Sequence, residues 1–236
     1  SANPKFSDTL SFMVTTTGSS ADSRYRTDPG GAFDGVVRVS FGGYYGTGAL
    51  LFDGRAILTA AHLFEGRTGS ASVTFETRSG IQTVTAKQYL QHPGYDANSN
   101  NDLAIVWLLS AAPVAANRYE IYRDSDEIGQ NLTLAGYGNI GTGNTGANST
   151  NTGGPTRLKA ANLFDADAAS LKASLGSSMG WSPLAGTQLI ADFDNGLAAN
   201  DALGRLMSRQ DRGRGLDEGM IAKGDSGGPA FLQNKL

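Results

Sequence analysis

Val36-Val37-Arg38-Val39-Ser40-Phe41, the glycine-rich Gly42-Gly43-Tyr44-Tyr45-Gly46, then Gly48-Ala49-Leu50-Leu51-Phe52-Asp53-Gly54 and Ala56-Ile57-Leu58-Thr59 decide the fold class. Short apolar runs rich in β-branched and aromatic side chains alternate with glycine and Asp-Gly turn signals, the pattern of consecutive antiparallel strands. The same texture returns at residues 72–75, 83–86, 103–108 and 132–137. Strands at such regular spacing favour an all-β sandwich or barrel over alternating β and α units. Residues 138–154, almost all Gly, Asn, Thr and Ser, predict an exposed loop. Ala168, Leu171 and Leu175 recur at helical spacing and predict a short helix within 165–175. Residues 1–33 are polar and weakly patterned, and are expected to lie over the fold as an N-terminal extension.

Bulk properties narrow the function. With 236 residues the chain can bury a sizeable core. Its net charge of -3 points neither to nucleic acid nor to an anionic membrane surface. No run approaches the roughly 18 apolar residues of a spanning helix. The absence of cysteine excludes disulfides, thiolate zinc sites and a cysteine nucleophile, but not export. The opening Ser1-Ala2-Asn3-Pro4-Lys5 lacks a basic start with an apolar stretch, so a signal peptide is expected to have been removed or never present.

Three segments carry chemistry. In Leu58-Thr59-Ala60-Ala61-His62 a strand end runs into small residues, which can hold a general base rigidly at solvent; a histidine alone is more often structural. In Asn100-Asn101-Asp102-Leu103-Ala104-Ile105-Val106 an aspartate stands at the mouth of an apolar strand, as a turn residue or as the carboxylate that accepts an imidazole N–H. In Gly224-Asp225-Ser226-Gly227-Gly228-Pro229 glycines flank a serine and free the backbone for an unusual turn. Such a turn exposes the serine Oγ together with the Gly224 and Ser226 N–H groups, which would form an oxyanion hole.

Together these segments resemble the trypsin/chymotrypsin family in order and separation, over about residues 36–236. Gln91-His92-Pro93-Gly94-Tyr95-Asp96 and Leu134-Ala135-Gly136-Tyr137-Gly138-Asn139 resemble lesser stretches of the same family. The resemblance implies two six-stranded antiparallel Greek-key barrels with the active site between them. The expected organisation is an extension over 1–33, a first barrel over 34–120 with His62 and Asp102, and a second barrel over 121–236 with Ser226. It implies a secreted serine endopeptidase acting on proteins or peptides through a Ser226-His62-Asp102 triad and an acyl-enzyme. His92 is expected on a surface loop without a role.

Departures from the family carry further expectations. The chain stops ten residues after Ser226, so the second barrel is expected to lack its C-terminal strands. Either the second barrel is cut short there or, the favoured expectation, a nick after Leu236 leaves the remainder as a separate C-terminal fragment that would be a partner besides substrate. The family's pocket floor falls at Met220, followed by Ile221, and implies an apolar residue before the cut bond. A displacement of the alignment to Glu218 would reverse that preference. No Ile-Val-Gly-Gly tetrapeptide precedes Val36, so maturation without the family's N-terminal switch is expected. Asp192-Phe193-Asp194-Asn195-Gly196 with Asn200-Asp201 supplies hard oxygen donors but fails the EF-hand pattern. The stretch therefore reads first as an Asx-rich turn, with no cofactor required and a structural calcium as the one metal reading weighed. Gly224-x-Ser226-x-Gly228 also fits the α/β-hydrolase elbow, but no histidine follows Ser226 as that fold requires. The other competing reading is a catalytically inactive binding or adhesion module on the protease fold, against which stands the presence of all three triad residues.

Overall fold

The computed structural model describes residues 13–98, 100–149 and 156–236. Its first strands are β1 (Met13–Thr16), β2 (Val36–Phe41), β3 (Tyr44–Leu50), β4 (Ala56–Thr59), β5 (Ser72–Thr77), β6 (Gly80–Gln91) and β7 (Ala104–Leu108). Six of them close a barrel in the order β2-β3-β4-β7-β6-β5, sealed where Val39 of β2 pairs with Val73 of β5. Alternation drives the closure. Val37, Val39 and Phe41 from β2, Val73 and Phe75 from β5, and Val106 and Leu108 from β7 share one buried cluster. Gly42 and Gly43 both have positive φ (57° and 84°), so the hairpin turn takes two residues and β3 resumes at Tyr44, earlier than the sequence suggested. β6 runs for 12 residues, well beyond the stretch at 83–86. It is exposed or half-buried throughout, and so carries little apolar signal.

The second half contains β8 (Asn131–Gly136), β9 (Ile140–Thr142), β10 (Gly146–Ser149), β11 (Leu158–Leu163), β12 (Ala166–Asp167), α1 (Ala168–Leu175), β13 (Leu189–Ile190), α2 (Ala202–Met207), β14 (Gly219–Ala222) and β15 (Ala230–Phe231). Its strands form sheets ordered β11-β8-β15 and β10-β9-β1-β14, with β12 pairing β13; among the described residues they do not close a second ring. The N-terminal segment does more than lie over this half. β1 pairs antiparallel with β14 from Met13↔Ala222 to Thr16↔Gly219, giving an otherwise open edge its partner. Tyr25 is buried behind it, accepting the Gly18 N–H (2.9 Å) and donating to the Leu216 carbonyl. Residues 1–12 of the expected extension lie outside the described residues.

The expected loop at 138–154 is in part a hairpin. Gly146 at φ 66° lets β10 fold back on β9, and the Thr142 and Thr145 hydroxyls lie 2.9 Å apart. Residues 150–154 of that stretch lie outside the described residues. The short helix forms from Ala168, because Asp167 caps it by accepting the Ser170 N–H (2.7 Å). Val36, Ala49, Tyr119, Ala135 and Phe231 pack the two halves together, with Tyr119 edge-on to Phe231 at 4.8 Å.

Candidate active site

β4 ends in a 3-10 turn, Ala61–Phe64, in which Ala61, Leu63 and Phe64 are buried and His62 is half-exposed. Phe64 stacks on Tyr89 at 4.3 Å and meets Phe41 edge-on at 5.1 Å, and Gln91 Nε2 donates to the Ala61 carbonyl at 3.0 Å. These contacts fix the turn, and with it the imidazole. Asp102, just before β7, grips the histidine at two points: Oδ2 lies 2.6 Å from His62 Nδ1, and Oδ1 accepts the His62 backbone N–H at 2.8 Å. A carboxylate on Nδ1 selects the tautomer that leaves Nε2 free to take a proton. Burial pushes the Asp102 carboxyl up, but the hydrogen bonds from the His62 ring and backbone outweigh it and hold it below the usual carboxylate range.

The preceding turn is anchored at a distance. Asn101 takes a positive φ of 57° and donates to the Gly94 carbonyl. Asn100 donates to Ser182 O and accepts from Leu184 N and Gln188 Nε2, each at 2.9 Å, tying the aspartate's turn to the second half.

The serine sits in a loop where Gly224 and Gly227 have φ of 100° and 81°. A Cβ on Gly227 would lie 2.3 Å from Thr59 Oγ1 and 2.5 Å from Ala60 N, so the loop is pressed against the segment that carries His62. Fully buried Thr47 joins the two. Its N–H donates to Ser226 O (2.9 Å), its Oγ1 donates to Gly224 O (2.8 Å) and accepts Tyr137 N–H (3.1 Å), and its carbonyl accepts Thr59 Oγ1 (2.7 Å). Asp225 is buried, its oxygens accepting Gly138 N–H (2.8 Å) and Ala222 N–H (2.7 Å). A Cβ at Gly136 or Gly138 would stand 2.0 or 2.1 Å from that carboxylate, so only glycine fits. Among the described residues, neither the Gly224 nor the Ser226 N–H is used in a hydrogen bond, and Ser226 Oγ has no partner. Nucleophile–base contacts often tighten only when substrate binds.

Met220 and Ile221 lie on β14 opposite Thr15 and Val14 of β1, with Met220 Sδ 3.9 Å from Asn162 Nδ2. Glu218 points elsewhere: its buried carboxylate accepts the Asp194 N–H (2.6 Å) and the Arg214 N–H. His92 stays on its loop, where Nδ1 accepts the Gly94 N–H. Asp192, Asp194 and Asp201 bring carboxylate oxygens within 4.8 Å of one another. Thr47 and Asn100 escaped the sequence reading, because a threonine in a strand and an asparagine in a turn are ordinary there.

A family model described as Trypsin matches residues 24–161, which include His62 and Asp102 and end before Ser226. Among solved structures the chain is similar to neuropsin, a serine protease expressed in the limbic system of mouse brain. The TM-score is 0.61 at 18% identity, covering 90% of this chain and 82% of that one. None of the curated proteins matches. No helix among the described residues is long and apolar enough to cross a membrane. With more than half its length matched by the family model and a closed six-stranded barrel carrying the His62–Asp102 pair, the chain belongs to the trypsin family.

Proposed function

We propose that this chain is a secreted serine endopeptidase in which Ser226 is the nucleophile, His62 the general base and acid, and Asp102 the group that orients and stabilises the imidazolium. Ser226 Oγ attacks the substrate carbonyl while its proton passes to His62 Nε2. The C–N bond then breaks as His62 gives that proton to the leaving amine, and water hydrolyses the acyl-serine by the same relay. The Gly224 and Ser226 N–H groups receive the oxyanion, a donor of this kind contributing about 3 kcal/mol in the transition state.

The observation that carries the reading is the two-point grip of Asp102 on His62, on a turn against which the serine loop is packed. Met220 and Ile221 support a preference for an apolar side chain before the cut bond. The commitment of the Glu218 carboxylate to the Asp194 and Arg214 N–H groups removes the acid that would select Arg or Lys.

An intact mass spectrum after fluorophosphonate treatment tests the assignment. One adduct on the wild type and none on Ser226→Ala is the expected result. The absence of an adduct on the wild type overturns it and leaves a catalytically inactive protease fold as the reading. The same spectrum reads whether a separate C-terminal fragment accompanies the chain. Faster cleavage of peptides with Leu or Phe before the bond than of those with Arg checks the pocket.

A further inference from the structure

We propose that Asp192, Asp194 and Asp201, on the segment running from β13 into α2, bind one calcium ion. One carboxylate oxygen from each lies within 4.8 Å of the others. Two of the three side chains are already aimed by the backbone. Asp192 Oδ2 accepts the Leu203 N–H (2.8 Å) and Asp201 Oδ1 accepts the Gly204 N–H (2.5 Å), leaving each a second oxygen. Capping the first turn of α2 therefore accounts for Asp192 and Asp201.

It does not account for Asp194. That residue is only 4% exposed, and its Oδ1 is buried with no hydrogen-bond partner. Its own N–H is spent on Glu218, a second buried acid, which adds negative charge rather than relieving it. Among the described residues none of Asp192, Asp194 and Asp201 forms an ion pair. A buried carboxylate oxygen without a donor is costly unless a cation or a proton reaches it.

The donor set selects the cation. All three ligands are hard oxygens, the chain has no cysteine, and its two histidines are at the triad and on the 92–94 loop. That excludes the sulfur and imidazole donors that favour zinc or copper. Calcium accepts an irregular set of oxygen ligands, where magnesium demands a near-ideal octahedron and gives up its waters reluctantly.

The test strips the full chain with EDTA and measures metal content by equilibrium dialysis and the melting temperature with millimolar calcium or magnesium. One calcium bound per chain is expected, with a rise in Tm of about 5 °C and little response to magnesium. Asp194→Asn is expected to bind none, and in EDTA to melt no lower than the stripped wild type, since the change removes a repelling charge. No bound calcium on the wild type, an equal response to magnesium, or calcium retained by Asp194→Asn would each overturn the site. These readouts do not involve Ser226, so failure here leaves the protease assignment untouched.

Discussion

Replacing Thr47 with valine removes one hydroxyl from the junction of the two halves and keeps the shape of the side chain. The lost Oγ1 donates to Gly224 O at 2.8 Å and accepts Tyr137 N–H at 3.1 Å, at a residue with no exposed surface. Water has no route to replace it. A buried polar group left without its partner costs about 1–3 kcal/mol, and two are orphaned together, so a loss of about 3 kcal/mol is expected. At this chain length that is a fall in Tm of about 6–12 °C. The consequence for chemistry is separate. Gly224 contributes one of the two proposed oxyanion donors, and losing the bond to its carbonyl loosens the loop next to that N–H, which then rests on Asp225 N–H to Ala222 O and Asn139 N–H to Lys223 O, each at 2.8 Å. Fluorophosphonate labelling of folded Thr47→Val should therefore slow at least tenfold, the size of a 1.4 kcal/mol loss in the transition state. Thr47→Ser, which keeps the hydroxyl, should label at nearly the wild-type rate. Calorimetry and a labelling time course below both melting points separate the two effects. A Tm within about 2 °C of wild type, corresponding to under about 1 kcal/mol, together with unchanged labelling, would refute Thr47 as the link between barrel and nucleophile loop.

Asp102→Asn should cut fluorophosphonate labelling at neutral pH by roughly ten-thousand-fold, the loss seen when a triad aspartate becomes an amide, and a loss under about tenfold would remove Asp102 from the triad. Because its pKa is lowered in the fold, Asp102 adds stability above the ordinary aspartate value near 4, and that stability is lost as pH falls through the lower folded value. Urea titrations should accordingly show a wider gap between wild type and Asp102→Asn at pH 7 than at about pH 2.5, and a gap that widens on acidification contradicts the sign. Asp34→Asn should destabilise the fold by about 3–5 kcal/mol, since it strands the guanidinium of Arg157, whose side chain is 1% exposed and 2.9 Å from the Asp34 carboxylate. A cost below about 1 kcal/mol in urea unfolding would mean that the four other oxygens around Arg157 (on Thr27, Val36 and Glu76) carry it alone.

The sequence by itself determined the class of fold and the candidate catalytic residues. Both are written in short-range signals. Alternating Val37, Val39 and Phe41 with the Gly42-Gly43 turn commit a stretch of chain to a hairpin whatever surrounds it. Gly224 and Gly227, both at positive φ, frame Ser226 because no other residue takes that turn without strain. Tertiary structure decided what those signals do not contain. Thr47 meets Gly224 across 177 positions, Asp34 meets Arg157 across 123, and Asn100 meets Ser182 across 82. Each of these residues is unremarkable among its own neighbours and acquires its role only from a partner brought by the fold. The same holds for β1, whose four residues, Met13–Thr16, are too short a run to signal a strand by themselves and which pairs where β14 offers it an edge. It holds also for Asp192, Asp194 and Asp201, which read as an Asx-rich turn along the chain. Burial withdraws Asp194 from water and leaves one of its oxygens without a donor, and burial is a property of the packed molecule rather than of any segment of it.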